Sequence, residues 1–143
     1  MWTKEIIKVP ELAIDSRGPR SYEECVAVGP LVFISGQTGW VNDTISTDFE
    51  QQARQTFKNV GYALKAAGLE FKDIMMMTVY LTDARYHPIF SKVRREIMAG
   101  SPSASATIAI NQLFDPRVWL EIQLIAVRSK LLELSTSEWM KYT

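Results

Sequence analysis

The stretch V-G-P-L-V-F-I-S-G-Q, residues 28–37, decides how the rest of the chain is read. Gly29-Pro30 marks a turn, because proline fixes φ and glycine accepts angles that other residues avoid. Leu31, Val32, Phe33 and Ile34 form an apolar run too short for a helix and bounded by turn residues. That run reads as a short buried strand. Ser35-Gly36-Gln37 then makes a corner of small and polar residues where backbone can approach something closely. A ligand, another strand and another subunit are all open at this point.

Working outward on the N-terminal side, Tyr22 to Val28 fits a second strand, which the Gly29-Pro30 turn joins to 31–35 as a hairpin. Before it, Asp15, Ser16, Gly18 and Pro19 mark a loop over 11–20. Thr3 to Val9 alternates weakly and fits a first strand, stopped by Pro10. On the other side, Gly36 to Ser46 reads as a loop carrying Trp40.

The period then changes. Thr47 and Asp48 are N-cap types, and Gln51 stands at the capping-box offset from Asp48. Phe49, Ala53, Phe57, Val60, Leu64 and Ala67 recur every three or four residues, which predicts an amphipathic helix over about 48–67, closed by Gly68. Ile74 to Leu81 reads as a strand buried on both sides. Its Met75-Met76-Met77 run does not make a soft-metal site, because consecutive strand residues point to opposite faces. Pro88 to Met98 reads as a second helix with Ile89, Val93 and Ile97 at four-residue spacing and Arg94, Arg95 and Glu96 in a solvated, salt-bridged surface. Ser105 to Asn111 and Val118 to Arg128 complete the strands. In the last, Val118, Leu120, Ile122, Leu124 and Ala126 share one face and Trp119, Glu121, Gln123 and Ile125 the other. The expected order is β-β-β-α-β-α-β-β in one domain over 1–128, followed by a tail or short helix over 129–143.

Composition narrows the function classes. The chain has 143 residues, 47% apolar, with 16 basic and 16 acidic side chains. That length can bury a core without staples. The charge balance argues against nucleic acid as a partner. Cys25 is alone, which excludes an intrachain disulfide and fits a reducing compartment. His87 is the single histidine, so a Cys/His zinc site is not expected. No run approaches the ~20 apolar residues of a membrane span. The expectation is a soluble, cytoplasmic protein with no membrane partner.

Five strings, taken in order, resemble the Rid family (reactive intermediate deaminases, YjgF-like). They are L-V-F-I-S-G-Q at 31–37, F-x-x-Q-A-R-Q-T-F-x-N-V around 49–60, A-A-G-L-x-x-x-D-I at 66–74, T-V-Y-L-T-D at 78–83 and L-E-I-Q-L-I-A-V at 120–127. The resemblance implies an α+β, chorismate-mutase-like fold, with a mixed sheet and two helices packed on one of its faces. It implies a homotrimer whose sheets form a central barrel, with small-molecule clefts between subunits. It also implies hydrolysis of enamines or imines to a keto acid and ammonia, with no metal or organic cofactor.

Such chemistry asks for a cation to hold a carboxylate, a placed water and an acid/base group. Glu121 matches the family's cleft glutamate and is the candidate catalytic residue; a rim carboxylate on a strand edge is the bland alternative. Tyr22 matches a cleft tyrosine, or is a core aromatic whose hydroxyl finds a partner. Ser35 and Gly36 match the corner beside the cleft, and a purely structural turn explains them equally well. The departure is on the fifth strand. The family's P-A-R-S/T arginine is replaced by Ser105 in P-S-A-S-A-T-I-A-I (102–110), with Thr107 where a small Cys or Thr is usual. Arg85, near a position where the family often has asparagine, is a candidate to compensate, against the reading of a solvated loop arginine. Without a carboxylate on the ligand, Ser103, Ser105 and Thr107 would instead line a neutral pocket. A non-catalytic ligand-binding trimer is the second function class, and an endoribonuclease the third. Cys25, inside a strand, reads as a small apolar residue, and Ser105 has no evident histidine to activate it.

Overall fold

The computed structural model describes residues 1–13 and 19–128. The elements are β1 (Lys4–Ile7), β2 (Cys25–Val28), β3 (Leu31–Gln37), α1 (Phe49–Ala66), β4 (Ile74–Leu81), α2 (His87–Ile97), β5 (Ala104–Ala109) and β6 (Leu120–Val127). The order is the expected one. The tail over 129–143 and part of the 11–20 loop lie outside the described residues. The strands form one six-stranded mixed sheet in the order β1-β2-β3-β6-β4-β5. Every pairing is antiparallel except β4 with β5, which α2 connects as a crossover. No helix among the described residues is long and apolar enough to cross a membrane.

The helices form for the reasons read in the sequence. Asp48 caps α1 by accepting from the Gln51 amide at 2.9 Å. Gly68, with φ +73°, follows its end in the left-handed region where glycine is unstrained. Phe57 of α1 stacks on Phe90 of α2 with ring centroids 5.9 Å apart. These helices cover one sheet face, and Ala27, Val32, Met77, Val79, Leu120 and Ile122 are all fully buried beneath them.

Two β-bulges change the reading of the strands. Between Ile34 and Gln37 on β3, three steps oppose two on β6 (Leu124 to Ile122). The Ser-Gly-Gln corner is therefore a bulge within β3, not the start of a loop. On β4, Ile74 pairs Ala126 and Met76 pairs Ile125, so Met75 is the extra residue. Met75 is 48% exposed, Met76 half-buried and Met77 buried. Within one chain, then, β4 is covered on the helix side only. The second strand is also shorter than expected: it begins at Cys25, and Tyr22 sits in the bend ahead of it.

The sheet's other face carries an apolar row across all six strands. Ile6 pairs Val26, Val26 pairs Phe33, Phe33 pairs Ile125, Ile125 pairs Met76, and Met76 pairs Ala104. Ile6 and Phe33 are 48% and 41% exposed.

Two polar residues on the inner face of α1 fix the segment that leaves the bulge. The buried Gln52 amide donates to the carbonyls of Ser46 and Arg117 (2.9 and 2.8 Å), and its carbonyl accepts from the Trp119 amide at 3.1 Å. Asn59 donates to the carbonyls of Thr38 and Trp40 at 2.7 and 3.0 Å. The loop after β3 is thus tied to α1, and the start of β6 to the same helix.

Candidate functional site

Glu121 lies on β6 opposite Tyr80, on the face the helices do not cover. It is half-buried, and that burial alone raises its pKa above the ordinary glutamate value. Among the described residues its carboxylate has neither a hydrogen-bond donor nor a cation. The β3 bulge supplies its seat. A β-carbon on Gly36 would stand 1.8 Å from the Glu121 Oε1 atom. Only a residue without a side chain leaves room for the carboxylate there.

Ser35, beside it, has its own structural employment. Its hydroxyl donates to the Glu23 carbonyl at 2.6 Å, and its amide to the Glu24 carbonyl at 2.9 Å. Gln37, buried, donates to the Glu24 carboxylate at 2.6 Å and to the Ser35 carbonyl at 3.1 Å. Arg20 pairs with the other oxygen of Glu24 and donates to the Leu12 carbonyl at 3.0 Å. Its guanidinium stands 5.5 Å from the ring centroid of Tyr22. Tyr22, Arg20, Glu24, Gly36 and Gln37 line one cavity of about 90 Å³. The structure thus brings Tyr22, Gly36, Ser35 and Glu121 to one region at the β3 bulge. Arg20 and Glu24 join them, and sequence reasoning did not single them out. The signal was faint: Arg20 and Glu24 are four residues apart, but in a segment without helical pattern.

The remaining candidates lie elsewhere. Arg85 sits in the turn Ala84–Tyr86, where its guanidinium grips Asp83 through contacts of 2.6, 3.0 and 3.0 Å. That pairing holds the Asp83 carboxyl down at about 2. Ser105 and Thr107 pair with the buried Met77 and Val79, so they project on the helix side of the sheet, opposite to Glu121. Ser105 is met there by a cation the sequence assigned to the surface. Arg94 of α2 donates to the Ser105 hydroxyl at 2.9 Å. Its neighbour Glu96 pairs with Arg54 at 2.9 Å, as a salt-bridged surface requires, but Arg94 does not share in it.

Cys25 is fully buried, and burial pushes its thiol up to about 11, so it stays protonated and inert near neutral pH. Among the described residues no cluster of His, Cys, Asp or Glu is arranged to hold a metal ion.

A six-stranded mixed sheet with two helices on one face and a glycine-seated glutamate at a bulge places the chain among α+β proteins of chorismate-mutase-like fold. The comparisons with known proteins narrow that class. Residues 12–128 match the family model described as Endoribonuclease L-PSP. A RutC family protein of Saccharolobus solfataricus is 33% identical over 130 residues, 88% of this chain and 99% of its own. A protein of Dermatophagoides farinae named 2-iminobutanoate/2-iminopropanoate deaminase is 28% identical over 130 residues, 89% of this chain and 98% of its own. The crystal structure of Escherichia coli TdcF with bound serine superposes with TM-score 0.77 at 33% identity, covering 87% of this chain and 99% of that one. The chain belongs to this family, the Rid or YjgF-like proteins.

Proposed function

We propose that the protein is a cofactor-free hydrolase of small enamines or imines, with Glu121 as its acid/base group. The observation that carries this reading is the Glu121 carboxylate itself. It is half-buried, pushed toward its protonated form, seated on Gly36 and bound to no donor among the described residues. A structural carboxylate would be neutralised by a cation or amides. One left in this condition holds its proton to higher pH than an ordinary glutamate, which suits it to give and take one in a reaction. In the reaction, an enamine first tautomerises to the imine, a proton moving from nitrogen to carbon. Water adds to the imine carbon with one proton going to the nitrogen, and the hydroxyl proton follows to the nitrogen as the carbonyl forms. The C–N bond then breaks, and ammonia leaves behind a ketone. The deaminase name borne by the Dermatophagoides relative supports the same reaction class.

The assembly we propose is a homotrimer in which the open sheet face meets neighbouring subunits. The apolar row from Ile6 to Ala104 supports it, because a partly exposed apolar stripe of that extent is costly to leave in water. Glu121 lies on that face, so its site would border the subunit contact.

A second reading is a ligand-binding trimer without turnover. It is favoured by β5 (A-S-A-T-I-A), which brings no arginine to the face that carries Glu121, and by Arg85, whose charge is already matched by Asp83. The word endoribonuclease in the family description finds little support in a chain with equal numbers of basic and acidic side chains and one histidine. The test is to generate 2-aminoacrylate in solution and follow ammonia and keto-acid release against the spontaneous reaction. Acceleration by the protein supports the hydrolase; saturable binding without acceleration supports the second reading.

A further inference from the structure

Arg94 stands out among the basic residues of the helical layer. Arg54 and Lys92 share the carboxylate of Glu50, and Arg54 also takes Glu96. Arg94, like its neighbour Arg95, pairs with no carboxylate among the described residues; what sets it apart is that it reaches across to β5. Its guanidinium lies 5.0 Å from the ring centroid of Phe90 and donates one N–H to Ser105. A guanidinium has five N–H groups, so this leaves most of its donor edge unused. The Phe90 ring and the serine hold the guanidinium from two sides, which favours two-point recognition of an anion. Because Ser105 accepts from Arg94, its own hydroxyl proton is free to donate. A cavity of about 450 Å³ opens beside these groups, lined also by Arg95, Met98, Pro102 and Ser103. Such a volume lies within the range of small-ligand sites.

We propose that Arg94, Ser103 and Ser105 form a binding site for a small monocarboxylate with a short apolar body. The carboxylate oxygens meet the Arg94 guanidinium and the Ser105 hydroxyl, and the apolar body lies against Met98 and Pro102. A phosphate dianion fits less well. The adjoining helix presents its C-terminal end, whose dipole is negative and disfavours the second charge. Arginines in a last helical turn also complement that dipole, but complementing it requires only the charge, not a guanidinium fixed on Ser105. The site faces the opposite side of the sheet from Glu121 and stands whether or not the proposed hydrolysis occurs.

The experiment is an NMR titration of the labelled full chain with butyrate, butyramide and inorganic phosphate. Butyrate is expected to shift the Arg94 Nε and Ser105 amide resonances saturably, and butyramide to leave them in place. Arg94→Met should weaken butyrate at least tenfold and Arg94→Lys by less. Lys72→Gln, which removes the same charge elsewhere, should not alter it. Equal affinity for acid and amide, tighter binding of phosphate than of butyrate, or undiminished binding in Arg94→Met would each overturn the proposal. If Arg94→Met does not fold, the acid–amide comparison on the unaltered chain and the lysine variant still decide.

Discussion

The carboxylate of Glu121 occupies the space that a side chain at Gly36 would need, with 1.8 Å between Oε1 and the position of a β-carbon there. Gly36→Ala therefore tests positioning apart from chemistry. The intruding methyl meets the mobile end of a side chain, so the fold should survive, with a cost of about 1 kcal/mol or less. Glu121 must swing away. Turnover should fall at least tenfold while thermal unfolding shifts by only a few degrees, read by activity and calorimetry on the same preparation.

The raised pKa of Glu121 has a consequence for stability. The folded chain holds this proton more tightly than the unfolded one. Below the unfolded value, both states are protonated and the group contributes no difference. As pH rises through the unfolded and then the raised folded value, ionising the buried carboxyl costs stability. Glu121→Gln should therefore be more stable than wild type near pH 7, and the two should converge at roughly pH 3, below the usual carboxylate range. Urea melts across that interval measure it; a difference that grows toward acid pH would contradict the burial argument.

Gln52 binds three backbone groups from inside the core. Gln52→Leu keeps the volume but leaves the Ser46 and Arg117 carbonyls and the Trp119 amide without this partner. The expected loss is about 2–4 kcal/mol in chemical denaturation, given ~1–3 kcal/mol for a buried polar group stripped of its bond. Arg85→Ala, which breaks a solvent-exposed pair with Asp83, should leave the same denaturation curve nearly unmoved.

Phe33 stands in the middle of the open apolar row, paired to Val26 and Ile125. A charge there should leave the helix-side core intact and disrupt association. Phe33→Glu is expected to shift the protein toward monomer in analytical ultracentrifugation. An unchanged sedimentation coefficient would remove this face from the interface.

The element order was legible because α1 and α2 carry a 3.6-residue period and β6 a two-residue one, each set by a single buried face. The α1 N-cap at Asp48 and the closing Gly68 were equally local signals. The bulges were not legible. Ser35-Gly36 together oppose the single Gln123 and Met75 is an extra residue on β4, and register belongs to the pairing, not to either strand alone. Nor was Arg94 at Ser105: residues eleven apart in sequence meet only because the β4-α2-β5 crossover folds them together. Glu121 was found through resemblance, and its relation to Gly36 emerged only when the two strands were laid side by side.

In the proposed reaction Glu121 moves the proton. The most direct measurement is the rate of ammonia release from 2-aminoacrylate, wild type against Glu121→Gln, with both shown folded. Wild type is expected to accelerate release over the spontaneous reaction, and Glu121→Gln to lose about a hundredfold or more in kcat. Wild-type turnover that persists undiminished in Glu121→Gln would contradict this role for Glu121.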